Sequence, residues 1–402
     1  MKEWMKSIIG RLSQTTPELS FEVRFWDGET HRYGSGTPSF NLTCKTKNAA
    51  KHVFTRGPLG FGEEYLKGNV SVDGSFQQLL RLGLDPSFQN SKLPILSRLQ
   101  ALWRKARSLN TPKQAAGNIA HHYDRGNEFF ALWLDETMTY SCAYFRSGSD
   151  TLGQAQQQKY EHVCRKLLLK RGDTLLDIGC GWGGMLFYAA KNYGNKGVGC
   201  TLSRQQYEYA VEKIKREGLG GTVSVLLADY RSLSGQFDKL ASIGMFEHVG
   251  KRYIPTFMKK VKSLLKPGGI GLLHTIGKER ETPGNPWTLT YIFPGGYIPT
   301  LHEILHGMGE AGLQSVDMEN LRLHYAKTLD EWSRRFEMNV ERIQSLFDES
   351  FVRMWRMFLN GSAVGFRYGD SRLYQITFTN GINNDLPITR DHIYFHDSMG
   401  IL

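Results

Sequence analysis

The chain has 402 residues, of which 40% are hydrophobic and 22% are charged. This balance is that of a globular protein of two or three domains, and it excludes a wholly disordered, collagen-like or coiled-coil chain. The formal net charge of +11 favours nucleic acid or an anionic membrane surface as a partner, although a basic surface without such a partner has the same composition.

Cysteine content and hydropathy limit the compartment. The five cysteines are odd in number and form no CxxC pair, so neither a disulfide framework nor a zinc ribbon is expected. No apolar run reaches the roughly 18 residues that a membrane-spanning helix needs. The start of the chain lacks the apolar core and the cleavage site of a secretory signal. We therefore expect a cytoplasmic protein.

Residues 1–90 are predicted to form a small α+β domain. Residues 21–25 and 69–73 alternate apolar and polar side chains as strands do, and Asp27-Gly28 is typical of a hairpin turn. A short helix is predicted at residues 45–56. No residue type in this region points to a chemistry, so membrane docking, assembly and gating of a site all stay open as roles.

A basic amphipathic segment follows, and we predict a linker helix at residues 91–115. The stretch between Asp85 and Asp124 contains no acid and carries the cations Lys92, Arg98, Arg104, Lys105, Arg107 and Lys113. Such a helix suits an anionic lipid interface, with its apolar side chains in the acyl boundary and its cations at the headgroups. A helix packed between domains with solvated charges has the same pattern, and both interpretations stay open.

Strands and helices alternate from residue 116 to the end, which we assign to a catalytic domain at 116–402. Strands are predicted at 174–179, 197–201, 223–228, 239–245 and 270–275, with helices at 185–192 and 204–217. This alternation predicts an α/β fold with a mostly parallel sheet and helices on both faces. Ligands bind such sheets at the carboxyl ends of the strands.

The motif DIGCGWG at residues 177–183 lies where the first of these strands enters a helix. Its glycines allow a tight turn and a close approach of the backbone to a ligand. A dinucleotide would require an acid after the second strand, but that strand ends in Cys200-Thr201-Leu202. S-adenosylmethionine carries no phosphate, and its ammonium group suits an acid such as Asp177. We therefore favour S-adenosylmethionine over NAD.

Several longer motifs occur in a fixed order around this turn. They are HYDRGNEFF (122–130), YSCAYF (140–145), TLSRQQ (201–206), FEHVG (246–250), HTIG (274–277), YIFPGG (291–296) and HYAKTL (324–329). In this order they resemble the cyclopropane fatty acid synthases, a family of S-adenosylmethionine-dependent methyltransferases, and the related mycolic acid cyclopropane synthases. The motif LGFGE at 59–63 resembles the N-terminal domain of the phospholipid-acting members.

The resemblance implies a class I methyltransferase fold, which is Rossmann-like. It also implies transfer of a methylene group from S-adenosylmethionine to the cis double bond of an unsaturated phospholipid acyl chain. The partners would be that acyl chain and an anionic phospholipid surface, with peripheral association at the inner face of the plasma membrane, and a homodimer is compatible with the family. No nucleic acid partner is expected, because YIFP at 291–294 lacks the residue order of base methyltransferase motifs.

The implied chemistry creates a carbocation in the acyl chain, and loss of a proton from the added methyl group closes the ring. The site must therefore exclude water, stabilise a cation and hold a base. Aromatic faces stabilise cations without acting as nucleophiles. The aromatic candidates are Tyr140, Tyr144, Phe145, Tyr291, Phe293 and Tyr325.

The resemblance supplies the base as a bicarbonate ion held by Cys142, Glu247, His274, Tyr325 and the backbone of Ile276. Thiol, imidazole, phenol and amide groups can bind a small oxyanion, and Glu247 either accepts the bicarbonate proton or orients His274 or Tyr325. Glu247, Tyr325, His274 and Cys142 are thus the expected catalytic residues. From the residues alone, a helix-start carboxylate and a buried core histidine are the simpler interpretations of Glu247 and His274.

The resemblance also assigns the cofactor-binding residues. They are Tyr140, Ser141, Asp177, Gly179, Cys180, Gly181, Gly183, Thr201, Gln206, Asp229 and Tyr230. Thr201 and Gln206 would replace the missing ribose-binding acid, and Asp229 would bind the adenine amino group. Tyr230 would flank the adenine ring. No metal site is predicted, because the sequence contains no HExxH motif and no clustered acidic loop.

One residue departs from the family. Ser362 stands where the family usually carries a cysteine to which catalysis has been attributed, so a thiol-based step at this position is excluded.

Two other functions are compatible with parts of the pattern. A related lipid methyltransferase that produces a methyl-branched chain, or acts on another amphiphile, shares the first step and stays open. A lipid- or nucleic-acid-binding sensor of S-adenosylmethionine would have no use for a base site.

Overall fold

The structure is a computed structural model, and it describes residues 1–84 and 125–395. The linker helix predicted at 91–115 lies outside the described residues, as do His122, Tyr123 and Asp124. None of the described helices is both long and apolar enough to cross a bilayer. All five cysteines are buried and free.

The described residues fold into helices and strands along both of their ranges. In chain order the helices are α1 (Lys2–Thr15), α2 (Lys47–Leu66), α3 (Phe76–Leu82), α4 (Asn127–Ala131), α5 (Leu152–Lys166), α6 (Gly184–Tyr193), α7 (Arg204–Arg216), α8 (Ile254–Leu264), α9 (Pro286–Tyr291), α10 (Leu301–Ala311), α11 (Arg322–Met338), α12 (Val340–Leu346), α13 (Glu349–Tyr368) and α14 (Asp391–Tyr394). The strands are β1 (Phe21–Arg24), β2 (Thr30–Tyr33), β3 (Phe40–Cys44), β4 (Val70–Gly74), β5 (Thr174–Ile178), β6 (Lys196–Thr201), β7 (Val223–Leu227), β8 (Phe237–Ile243), β9 (Leu265–Gly277), β10 (Leu313–Asn320) and β11 (Arg372–Asn380).

The chain divides into two compact units. The first consists of Met1–Arg107, Gly284–Pro294 and Leu329–Gly369, and the second of Ser108–Pro283, Gly295–Thr328 and Asp370–Leu402. Two segments of the first unit therefore lie within the range 116–402 that was assigned from the sequence to a catalytic domain. Each unit consists of three separate segments of the chain. The predicted domains 1–90, 91–115 and 116–402 are continuous ranges and do not reproduce this division.

The first unit contains a four-stranded sheet in the order β2-β1-β3-β4. The strands predicted at 21–25 and 69–73 correspond to β1 and β4, and β1 pairs antiparallel with β2 as the hairpin prediction requires. Gly28 has a φ of 87° in the turn between them, a conformation that glycine adopts without strain. The helix predicted at 45–56 extends as α2 to Leu66. The α+β character of the N-terminal region is confirmed.

The second unit contains a seven-stranded sheet in the order β10-β11-β9-β8-β5-β6-β7. The pairs from β9 to β7 are parallel, and β11 is antiparallel to both β9 and β10. The five strands predicted from the alternation correspond to β5–β9. The predicted α/β fold with a mostly parallel sheet is confirmed, while β10 and β11 are absent from the prediction.

Alternate side chains of β5 enter two cores on opposite faces of this sheet. Leu176 packs in a buried cluster with Phe257 of α8 and Ile304 of α10. Leu175 packs in a second buried cluster with Val163 of α5 and Leu186 of α6. Because strands buried on both faces need apolar side chains at every position, β5 is a nearly continuous apolar run. Helices cover both faces, as predicted.

The turn that leaves β5 is shaped by glycine. Gly179, Gly181 and Gly183 have φ values of 83°, 55° and 87°, which other residues rarely adopt. A Cβ atom at Gly179 would lie 2.6 Å from the Met245 side chain. Strand β5 pairs with β6 on one side and β8 on the other, so this turn lies where the chain order of the sheet reverses. Such a point is where open α/β sheets bind ligands.

Candidate active site

A cavity opens in the second unit beside the glycine turn. Its lining includes every predicted cofactor-binding residue except Gly183, namely Tyr140, Ser141, Asp177, Gly179, Cys180, Gly181, Thr201, Gln206, Asp229 and Tyr230. Gly183 is instead the residue that precedes α6, where its left-handed conformation starts the helix. Segments that are far apart in sequence thus meet around one cavity.

Thr201 and Gln206 form a pair at the carboxyl end of β6. The Thr201 hydroxyl donates to Gln206 Oε1 at 2.7 Å and accepts from the Ser203 backbone N–H at 3.2 Å. Both side chains are buried, and Ser203 caps α7 by accepting from the Gln206 backbone N–H. The cap and the pair fix both side chains in position without a ligand. The neutral side chains of Thr201 and Gln206 can hydrogen-bond a ribose hydroxyl, a role for which dinucleotide-binding proteins use an acid.

Asp229 is held by a neighbour that was not predicted from the sequence. Arg231 donates from Nε to Asp229 Oδ1 at 2.8 Å and from Nη2 to Oδ2 at 2.7 Å, a bidentate ion pair. Burial opposes ionisation of Asp229, but the hydrogen bonds from Arg231 outweigh it and lower its pKa. Oδ1 also accepts the Arg231 backbone N–H at 2.9 Å, so Oδ2 is the oxygen that keeps a further lone pair for a donor such as an amino group. Arg231 also lines the cavity.

Tyr140 is packed within an aromatic cluster. Its ring lies 5.5 Å from Phe130 and 5.2 Å from Trp133, and Phe130 also contacts Trp182 at 5.3 Å. Trp182 Nε1 donates to Asn127 Oδ1 at 2.8 Å, and Trp182 lines the cavity. The residues NEFF of the motif at 122–130 therefore serve as the support of the cavity wall on which Tyr140 and Trp182 lie.

The predicted base site centres on Glu247, which follows β8. Glu247 Oε1 accepts the backbone N–H of Ile276 at 2.6 Å, while its Oε2 is buried and has no hydrogen-bond partner among the described residues. Burial raises the pKa of Glu247 to about 7. This arrangement differs from the expectation for Ile276, because its N–H is already engaged by Glu247 and serves to orient the carboxylate.

His274 lies near the end of β9 with 1% of its surface exposed. Its Nδ1 is 3.1 Å from Gln375 Nε2, and its Nε2 is buried without a hydrogen-bond partner in the described part of the chain. With the Gln375 amide as donor, Nδ1 is the acceptor and Nε2 carries the ring proton. Burial lowers the pKa of His274 well below its ordinary value, so the ring is neutral at physiological pH.

The segment that contains Cys142 is hydrogen-bonded to helix α11, which carries Tyr325. The Cys142 thiol is fully buried, and burial raises its pKa, so it is a protonated donor. Its Sγ lies 3.2 Å from the Ala143 carbonyl oxygen. The Ala143 backbone N–H donates to Thr328 Oγ1 at 3.0 Å, and Tyr325 precedes Thr328 by one helical turn. This contact fixes the YSCAYF segment against the helix that carries Tyr325.

Two of the aromatic candidates have faces that are already covered. Tyr144 is stacked between His162 and His324, at ring distances of 4.1 and 4.7 Å. Lys327 Nζ lies 4.3 Å above the ring of Phe145. The rings stacked on Tyr144 correct the expectation that it faces a substrate cation, whereas Lys327 covers one face of Phe145.

Two further aromatic candidates, Tyr291 and Phe293, belong to the first unit, as does Ser362. Tyr291 contacts Trp287, and Phe293 lies edge-on to Phe358. Ser362 lies half-buried in α13, also in the first unit. The residues that line the cavity all belong to the second unit.

A second charged residue of the cavity, besides Arg231, is missing from the sequence prediction. Lys159 lies on α5, is 1% exposed and lines the cavity, where its Nζ donates to Ser141 Oγ at 3.1 Å. A lysine on an amphipathic helix is usually solvated, and nothing local marks this one as buried. Within residues 1–84 and 125–395, no cluster of three His, Cys, Asp or Glu side chains is arranged to hold a metal ion.

Comparison with known proteins places this site in a family. A family model described as mycolic acid cyclopropane synthetase matches residues 110–376, and a model described as a domain of unknown function, DUF7884, matches residues 9–91. The chain belongs to the mycolic acid cyclopropane synthetase family. It is 39% identical over 362 residues to the cyclopropane-fatty-acyl-phospholipid synthase of Escherichia coli strain K12, covering 89% of this chain and 92% of the relative.

Two further similarities extend this result. The chain is 36% identical to a probable fatty acid methyltransferase of Pseudomonas putida, covering 94% of this chain and 96% of the relative. A crystal structure of the mycolic acid cyclopropane synthase CmaA1, complexed with SAH and CTAB, matches with a TM-score of 0.63 and 34% identity, covering 66% of this chain and 98% of that chain. Members of this family have the class I methyltransferase fold, and this chain is an S-adenosylmethionine-dependent methyltransferase.

Proposed function

We propose that this enzyme transfers a methylene group from S-adenosylmethionine to the cis double bond of an unsaturated phospholipid acyl chain and closes a cyclopropane ring. The observation that carries the proposal is a pair of buried polar atoms, Glu247 Oε2 and His274 Nε2, that lack hydrogen-bond partners among the described residues. Unpartnered buried polar atoms are costly, so they indicate the place of a polar ligand. Ring closure needs a base, because a proton must leave the added methyl group.

The reaction balances in two steps. The π electrons of the double bond attack the sulfonium methyl carbon, the carbon–sulfur bond breaks, and sulfur leaves with its electron pair as a neutral thioether. The substrate then carries a carbocation next to the added methyl group. A C–H bond of that methyl group breaks, its electrons close the ring, and the proton goes to a base.

The donors present fit a small oxyanion as that base. Bicarbonate bound among Cys142, Glu247, His274 and Tyr325 would supply the proton acceptor. The neutral His274 Nε2–H is a buried donor, and Glu247 Oε2 is an acceptor for the acid proton. The Cys142 thiol donates to the Ala143 carbonyl oxygen and would have to turn from it to bind the ion. The Ile276 N–H does not contact the ion directly, because it donates to Glu247 Oε1 and orients that carboxylate. In this proposal Glu247 and His274 touch the ion, and Ile276 and Gln375 position them.

Cation stabilisation falls to the remaining aromatic candidates, Tyr140 and Tyr325. The ring of Tyr140 lines the cofactor cavity and is fixed by Phe130 and Trp133. A fixed aromatic face stabilises positive charge and cannot be alkylated as a lone pair would be. Apolar packing around the ring also excludes water that would otherwise quench the cation.

The lipid nature of the acceptor rests on the relatives and on charge. The Escherichia coli relative is a cyclopropane-fatty-acyl-phospholipid synthase, and this chain has a net charge of +11. A basic protein is attracted to anionic headgroups at the inner face of the plasma membrane, which would bring the cavity to its acyl chain. Cytoplasmic location with peripheral association follows from that substrate. A homodimer stays an expectation.

A second function is favoured by one comparison. The Pseudomonas putida relative is a probable fatty acid methyltransferase, a name that does not specify a ring as the product. The first step is the same for both products. The ring forms when the cation loses a proton from the added methyl group, whereas a methyl-branched unsaturated chain forms when a neighbouring chain carbon loses the proton.

The experiment is a product analysis. The purified full chain is incubated with S-adenosylmethionine and vesicles of cis-unsaturated anionic phospholipid, in buffer freed of carbon dioxide, with and without added bicarbonate. We expect an acyl chain enlarged by one CH2 group as a ring, formed faster with bicarbonate. A branched or unsaturated product would favour the second function. Ring formation that is indifferent to bicarbonate would remove the proposed base.

A further inference from the structure

Lys159 is a buried cation in the wall of the cofactor cavity. Its Nζ donates to Ser141 Oγ, which satisfies one of the three ammonium protons. Burial lowers the pKa of Lys159 to about 8, against the opposing influence of Asp135, Cys142 and Asp177. The ammonium form therefore predominates at neutral pH. A buried ammonium group is retained at such a cost only where an anion compensates it.

The acidic groups near Lys159 differ in how they are used. Asp135 accepts from the backbone N–H groups of Thr137 and Thr139, so its charge is satisfied within its own turn. Asp177 is 2% exposed, and its Oδ1 has no hydrogen-bond partner among the described residues. Burial raises the pKa of Asp177 to about 7, against the opposing influence of Lys159, so this carboxyl needs a further positive partner to be fully ionised at neutral pH.

The amino-acid end of S-adenosylmethionine carries the complementary pair of charges, an α-carboxylate and an α-ammonium. We propose that the Lys159 ammonium group, held in place by Ser141, binds the α-carboxylate of S-adenosylmethionine. Asp177 then compensates the α-ammonium, so each buried charge of the cavity meets its opposite. The inference concerns cofactor binding alone, and it does not depend on the lipid acceptor or on bicarbonate.

The test compares two ligands that differ only in the carboxylate. These are S-adenosylhomocysteine and its decarboxylated analogue, S-(5′-adenosyl)-3-thiopropylamine, which keeps the amine. Dissociation constants are measured by calorimetry in bicarbonate-free buffer for the native chain and Lys159→Met. We expect the native chain to prefer S-adenosylhomocysteine by roughly 10- to 100-fold, the range for a charge-assisted hydrogen bond, and Lys159→Met to lose that preference. The decarboxylated analogue should bind the variant as well as it binds the native chain.

Lys196→Met is the matched control, because Lys196 is exposed at the start of β6 and its loss removes the same charge. It should bind both ligands as the native chain does. An equal loss of both ligands in Lys159→Met would assign Lys159 a structural role and overturn the proposal. Unchanged binding of S-adenosylhomocysteine, with a raised bicarbonate requirement in turnover, would assign the cation to the base site and overturn it equally.

Lys159→Arg guards against a folding defect in the methionine variant. If Lys159→Met fails to fold, the arginine variant keeps the charge and lengthens the side chain. It should retain a preference for the carboxylate ligand over the decarboxylated one. An arginine variant that folds and shows no such preference would contradict the proposal.

Discussion

Gln375 and His274 are directly opposite each other on the antiparallel strands β11 and β9, and Gln375 Nε2 lies 3.1 Å from His274 Nδ1. The contact is fully buried, and it decides which ring nitrogen carries the proton. Gln375 was not among the predicted site residues, because strand β11 was not predicted. The amide thus acts on the proposed base site through the tautomer of His274.

Replacing Gln375 tests that relationship. We expect Gln375→Met to lower kcat by roughly 10- to 100-fold, because the ring loses its fixed tautomer and Nδ1 is left unpaired. The dissociation constant of S-adenosylhomocysteine should stay unchanged, since Gln375 does not line the cofactor cavity. Thr377→Val, two residues along on the same strand face, is the control and should retain activity. A Gln375→Met enzyme with native kcat would contradict this role.

Glu247 is expected to serve ring closure and not cofactor binding. Glu247→Gln keeps the shape of the side chain and removes its ability to accept the acid proton. We expect turnover to fall by about 100-fold or more, with cofactor affinity retained. Glu310→Gln, at an exposed acid on α10, removes the same charge and should leave turnover unchanged. Equal loss of cofactor affinity in Glu247→Gln would instead assign Glu247 to the cofactor cavity.

The same substitution should change how stability depends on pH. Burial raises the pKa of Glu247 to about 7 from an ordinary value of 4.5, so the folded chain binds this proton more tightly than the unfolded chain. The stabilisation that it confers is present below pH 4.5 and is lost as pH rises through 7. The free energy of unfolding, measured by urea titration, should therefore fall between about pH 4.5 and 7.5 more steeply in the native chain than in Glu247→Gln. If the free energy of unfolding depended on pH in the same way for the native chain and Glu247→Gln, the raised pKa of Glu247 would be disproved.

The five cysteine thiols should be unreactive in the folded chain. All five cysteines are buried, and burial raises the pKa of each, to about 12 for Cys44 and Cys200. Since the thiolate is the reactive form, a disulfide reagent at about pH 8 should react at the rate of unfolding, and all five thiols should react at once in denaturant. A fast phase from the native chain would identify an accessible thiol, with Cys180 in the cavity wall as the first residue to check.

Ser362 should be dispensable for the chemistry. It lies in α13 of the first unit, whereas the cofactor cavity is lined by the second. We expect Ser362→Ala and Ser362→Cys to keep kcat within about twofold, because no proposed step uses a hydroxyl or a thiol at this position. A collapse of turnover in Ser362→Ala with an unchanged melting curve would show that this position takes part in the reaction.

The fold and the cofactor cavity were predictable where the signal is local. The apolar run of β5, the glycines of its turn and the start of α7 after Ser203 each depend on neighbours in sequence, and the structure agrees with all three. Strands β10 and β11 were missed because β11, buried along nearly its whole length, lies after a long helical segment and lacks a strand–helix alternation to frame it. The sequence of a single strand does not indicate which strands it pairs with in the sheet.

The charges and hydrogen bonds of the site were less predictable, because they arise between segments far apart in the chain. Lys159 has the appearance of an ordinary helix cation, and only the packed structure shows it to be buried. The Ile276 N–H seemed available for an oxyanion until Glu247, 29 residues away, proved to accept it. Tyr144 likewise could not be removed from the aromatic candidates until His162 and His324 were found on its two faces.

The interleaving of the two units has a consequence for synthesis on the ribosome. Helix α13 packs against α2 and α3 within the first unit, yet it is translated almost 270 residues after α3. Helices α2 and α3 must therefore wait for this packing partner while most of the second unit emerges. A nascent chain arrested near residue 300 should bind chaperones through its N-terminal region, and that binding should be released only once α13 has left the exit tunnel.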